Sequence, residues 1–256
     1  MTGVAERING ERIVLAGWSR AILLQLAHPL VAQGVADHSS FRGGLLRAAG
    51  RLHHTVRAMR QLTFGPPETS RQALDRIRAI HTRVNGVLRE SVGPWPAGTR
   101  YSAEDAALVL WVHATLLDSL ALVHDAIVAP LSDADRDAWC RESAPVAEAL
   151  GAEGRDVPQT WADLQAYMTR MYDGDRIVVG DTARSLAREV LAPPRSWAIA
   201  PVRRLNTVIT TGLLPEPIRA QYRLPWSEQD QALLRRSLHL LRVVRRMTPW
   251  ALARWP

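Results

Sequence analysis

Apolar residues recur at three- and four-residue spacing through nearly every long segment of this chain, and that period admits little besides helices. No alternating run long enough for a strand interrupts it. Val178-Val179 is the best short candidate, and it is weak. The pattern predicts helices over 10–28, 29–37, 43–63, 70–90, 103–127, 132–149, 158–172, 176–190, 197–212 and 227–247. Several carry start signals. Ser102, Ser132, Thr160 and Ser227 each precede acids, which the helix dipole favours in a first turn. Gly65-Pro66-Pro67, the irregular stretch from Gly93 to Gly98, Pro193-Pro194 and Pro215-Glu216-Pro217 read as breaks. The expected fold is all-α: one compact domain over 1–256 with about ten helices, and a globin-like core as one arrangement. A motif-bearing core would cover about 10–190 and a C-terminal helical extension about 195–256.

Composition removes several functions. All 32 basic residues are arginine and the net charge is +7. Total replacement of lysine matches the codon usage of a GC-rich bacterium. The arginines are scattered at helical spacing rather than clustered with aromatics, so nucleic-acid binding is not expected. The single cysteine, Cys140, allows no disulfide framework, zinc cluster or cysteine-held iron–sulfur site. The most apolar run, 13–31, is broken by Arg20, His28 and Pro29, so it reads as a buried helix rather than a membrane span, and the cytoplasm is the expected location. The arginine-rich stretch around Arg235, Arg236, Arg242, Arg245 and Arg246 reads as a packed terminal helix with a basic outer face, and membrane association is not expected.

Imidazole is then the natural place to look for a cofactor ligand. His81 falls in register with Leu74, Ile77, Val84 and Leu88, inside an apolar stripe. A buried histidine there needs a partner, and a core hydrogen bond or a metal would each supply one. Gly86 is unusual in a helix interior, where glycine costs about 1 kcal/mol relative to alanine, and it could admit a flat group or a neighbouring helix. Arg51, His54 and Thr55 share one helical face at i, i+3 and i+4. They form either a polar pocket wall able to hold a carboxylate or a bound oxygen species, or a solvated face. His53 points elsewhere. His28 precedes Pro29, which ends a helix and leaves the ring to bond a terminal carbonyl. His38 is a cap or pocket residue. His113 reads as a satisfied core histidine, and His124 and His239 carry no further signal. No dinucleotide or Walker loop, Gly-x-Ser-x-Gly elbow, Glu-x-x-His pair or Cys-x-x-Cys-His motif occurs.

The order of motifs is more specific than any one of them. The chain runs from Gly17-Trp-Ser-Arg20 through Ala27-His28-Pro29, Gly34, Asp37-His38-Ser39, Arg51-Leu-His-His-Thr55 and Leu62-Thr-Phe64-Gly65. It continues with Arg78-Ala-Ile-His81-Thr-Arg-Val-Asn-Gly86, Tyr101-Ser-Ala-Glu-Asp105 and Leu110-Trp-Val-His to Asp118-Ser119. This resembles the DUF2236 family, which includes the catalytic domain of bacterial rubber oxygenase and a fungal oxygenase of mycophenolic acid biosynthesis. The resemblance implies an all-α fold and a b-type haem with His81 as proximal iron ligand. It also implies a distal element formed by Arg51, His54 and Thr55, in which His54 stands where the family has lysine. His28 and His38 would help shape the cofactor pocket. The implied activity is haem-dependent oxidation of a small or lipid-like apolar substrate by dioxygen or peroxide, with a redox partner. Cleavage, hydroxylation and dehydrogenation are all open. The alternative is a non-enzymatic helical protein that holds haem or an apolar ligand.

Overall fold

A computed structural model of the chain describes residues 3–38, 45–191 and 200–255, without the side chains of 45–53, 200 and 201. The Pro193-Pro194 break and the side chains of Arg51 and His53 therefore lie outside the described residues. Helix α1 spans Val4–Gly10, followed by a 3-10 turn Arg12–Gly17 and α2, Trp18–Leu26. Then come α3 (Pro29–His38), α4 (Leu45–Phe64) and α5 (Pro67–His81). Two short antiparallel strands, β1 (Asn85–Val87) and β2 (Arg100–Ser102), pair Gly86 with Tyr101. The rest is helical: α6 (Ala106–Val123), α7 (Asp133–Ala149), α8 (Trp161–Asp173), α9 (Asp181–Leu191), α10 (Ala200–Leu213), α11 (Glu216–Gln221), α12 (Glu228–Met247) and α13 (Trp250–Ala253).

The strands correct the expected helix over 70–90, and the reason is local. Thr82 Oγ1 donates to the Ala79 carbonyl and Asn85 Nδ2 to that of Thr82. Side chains at the end of α5 thus occupy the carbonyls that a continuing helix would need. Gly86 then meets Tyr101 so closely that an added Cβ would lie 2.7 Å from its hydroxyl. The flat group that this glycine admits is a tyrosine ring. Val178-Val179 forms no strand, and α9 starts at Asp181 rather than 176.

Helix α6 is the axis of the core. Its Leu108 to Trp111, Ala114, Thr115, Leu117, Ser119 to Ala121 and Val123 are buried. It continues through a π-type turn, His124–Val128. This unit, Ala106–Val128, is long and apolar enough to cross a membrane, but most of it is buried among its neighbours. Asp105 caps α6 by accepting from the Ala107 and Leu108 amides, so the cap lies three residues beyond Ser102. Helix α2 packs on α6 with Leu23 and Leu24 wholly buried, and each buried leucine contributes about 2 kcal/mol. Gly17 allows the approach, because a Cβ there would lie 2.8 Å from the Ser119 carbonyl. The buried Arg20 donates to Asp118, to Ser119 and to the Leu213 carbonyl, each at 2.7 Å. One guanidinium thereby ties α2, α6 and the end of α10 together. Ser132, Thr160 and Ser227 cap α7, α8 and α12 as their sequences predict.

Candidate functional site

Gly65 and Pro66 turn the chain back on itself, and α4 and α5 pack as a hairpin braced by Arg76 donating to Gln61 Oε1 at 2.8 Å. Arg51 and His81 both lie about 20 Å along their helices from this turn, at 1.5 Å per residue. The hairpin therefore sets the Arg51–Thr55 turn of α4 level with the end of α5 that carries His81. The side chains of His54 and Thr55 are exposed.

His81 is the last residue of α5, not a member of a mid-helix stripe. Val84 and Leu88 lie beyond the helix, and Ala73 is its only buried residue, with Ile80 60% exposed. Arg78 Nε donates to the Ala149 carbonyl at 2.6 Å and pins this end of α5 to the C-terminus of α7. His81 itself is half-buried. Its Nδ1 is closed off from solvent and has no hydrogen-bond partner among the described residues. Burial lowers its pKa from the ordinary histidine value, and the nearby carboxylate of Glu104 opposes that shift. The imidazole is held neutral with an unsatisfied nitrogen.

Behind it, the strands join α3. Tyr101 donates to Asp37 at 2.8 Å, and Arg89 pairs with the same carboxylate. His38 closes α3 and its Nε2 donates to the Asn85 carbonyl at 3.0 Å. His28 is buried in the 109° bend between α2 and α3. Its backbone amide donates to the Gln25 carbonyl of the helix it follows, at 3.2 Å, and among the described residues its ring bonds no carbonyl there. Its Nδ1 instead accepts from the Leu30 amide at 3.3 Å, at the start of the next helix. Its ring lies 5.1 Å from that of Trp95, and burial drives its pKa down to about 4. It lines a cavity of about 700 Å³ together with Leu110, Val157, Tyr167, Met171 and Arg176. His81 and His38 do not line that cavity. Charges at the entry to α6 act on two histidines: Glu104 raises the pKa of His81 and Asp105 that of His28, each against the larger effect of burial.

Sequence reasoning missed three of these features. Glu104 gave no sign of its partner because the two lie in different elements. The cavity wall from α8 carries no motif. His113, expected to be a satisfied core residue, has a buried Nε2 without a partner among the described residues, and burial lowers its pKa to about 4.

No three His, Cys, Asp or Glu side chains come together as a metal cage among the described residues. A facial triad for non-haem iron thus finds no ligand set there, whereas haem needs one imidazole from the protein. Residues 6–243 match the family described as ER-bound oxygenase mpaB/B′/rubber oxygenase, catalytic domain. The chain belongs to that family. No curated protein and no solved structure matches it significantly. Membership makes this a chain of an oxygenase family, for which dioxygen and an oxidisable substrate are the implied reactants. Within this mpaB/rubber-oxygenase family member, the matched span covers the α4–α5 hairpin, both strands, α6 and most of α12.

Proposed function

We propose that this chain is a haem-dependent oxygenase of a small or lipid-like apolar substrate, with His81 supplying the axial nitrogen to the iron. The observation that carries the reading is the His81 imidazole, half-buried at the end of α5 with a solvent-shielded nitrogen that no group among the described residues satisfies. An unpaired buried nitrogen is costly, and coordination removes the cost. Burial keeps the ring neutral near pH 7, so a lone pair is available. Glu104 would add negative potential beside that ring.

A bound haem would supply the site for dioxygen binding and activation. The chain's own contribution opposite His81 would come from α4. Arg51 would donate hydrogen bonds and hold positive charge, His54 would donate or accept a proton, and Thr55 would add a hydroxyl. His28 and His38 each commit one ring nitrogen to the backbone, so they brace the α3–strand junction. Purified protein reconstituted with haem should show a strong absorption band that shifts in His81→Ala. A haem-replete His81→Ala protein with an unaltered spectrum would remove His81 from this role.

The cavity beside His28 suggests a second reading, in which the chain holds a ligand without turning it over; its lining mixes Leu110, Val157 and Met171 with the charged Glu153, Arg155, Asp156 and Arg170. Oxygen consumption with a reductant and an apolar alkene or lipid separates the two. No consumption by the haem-replete protein would favour the binding role.

A further inference from the structure

Helix α12 has two apolar faces, and the fold uses one. Leu234 and Ser237 are buried, and Leu233, Leu238 and Leu241 pack with Leu234 against Val208 and Ile209 of α10. Leu240, Val243, Val244 and Met247 recur at i, i+3, i+4 and i+7 and form a second stripe on the outside. Met247 is 79% exposed, Leu240 59% and Val244 50%. Trp250 and Leu252 on α13 are 70% and 65% exposed. The terminal helix therefore packs by one face and carries the basic outer face that its sequence suggests, with an apolar stripe beside the arginines. Its outer face is mixed: Arg235, Arg236, His239 and Arg246 are exposed alongside the apolar stripe.

Charge decides what fits this face. No acid occurs after Asp230. Arg242 is bound to the Ala126 carbonyl, and Arg245 and Arg254 to Glu11. The exposed arginines Arg235, Arg236 and Arg246 are left beside the stripe. A second copy of the chain would set these like charges against each other. An anionic lipid surface offers the opposite charge together with acyl chains for the stripe, and tryptophan is favoured at the boundary between them. We propose that the α12–α13 face docks on an anionic bilayer surface, lying in the interface without crossing it. This stands independently of the oxygenase reading.

Co-sedimentation of the full chain with vesicles tests it. The chain should bind vesicles of phosphatidylcholine with phosphatidylglycerol and bind phosphatidylcholine alone weakly. Partitioning should fall about tenfold or more in a Leu240→Gln/Val244→Gln/Met247→Gln/Trp250→Gln variant, and similarly in Arg235→Gln/Arg236→Gln/Arg246→Gln. All seven side chains are exposed, so circular dichroism and Tm should match the parent. A parent chain that leaves anionic vesicles in the supernatant overturns the proposal, as does an apolar-face variant that binds like the parent. A concentration-dependent dimer that this variant abolishes would assign the face to a second copy and overturn it equally.

Discussion

The Tyr101 hydroxyl donates a 2.8 Å hydrogen bond to Asp37 and thereby fastens β2 to the last turn of α3. Tyr101 is buried and its acceptor is charged, so the bond belongs to the stronger class. Tyr101→Phe should destabilise the protein by about 2 kcal/mol in urea denaturation. Gly86→Ala should cost about as much, since its Cβ would press on the same hydroxyl. Unchanged midpoints in both would show that the junction does not hold this end of the fold.

Glu104 opposes the effect of burial on His81. Glu104→Gln removes a negative charge from beside the imidazole, so the His81 pKa should fall further. NMR titration of the haem-free protein reads this directly. An upward shift would contradict the placement of the two groups.

The buried His28 and the partly buried His113 are held neutral, each with its pKa lowered to about 4. Between that value and 6.5 the unfolded chain binds protons that the folded chain refuses. Their contribution is complete above pH 6.5 and disappears as pH falls toward 4, by about 3 kcal/mol for each histidine. Chemical denaturation from pH 7.5 to 4.5 should show this loss, and His28→Gln should flatten it.

Glu11 is buried and holds Arg245 and Arg254 together. It closes the N-terminal region onto the C-terminal helices across more than 230 positions. Glu11→Gln leaves two partly buried guanidinium groups without a counter-charge, and should cost about 3 kcal/mol. Hydrogen exchange should quicken in α12 and α13 more than in α6.

Cys140 is fully buried, and burial, reinforced by Asp137 and Asp163, raises its thiol pKa to about 12. It should resist thiol reagents at neutral pH and react once the protein unfolds. Fast labelling of native protein would place it outside the core.

The sequence alone determined what depends on near neighbours. Helical periodicity is written into residues three and four apart, so most of the helices follow from it. The caps at Ser132, Thr160 and Ser227 bond amides three residues on, and they lie where the sequence puts them. The order of motifs gave the family. Tertiary structure decided everything that joins distant segments. Periodicity ran α5 through Gly86, but Tyr101, fifteen positions later, takes Gly86 into a strand. His28 was legible as a helix-ending residue, yet the cavity beside it is completed by α8 and Arg176. Second-face exposure of α12 could not be read from a pattern that marks both of its faces as apolar. His81 was legible as a histidine near apolar residues. Its shielded, unpaired nitrogen was not, because an unmet hydrogen bond is a property of every surrounding element and of no single one.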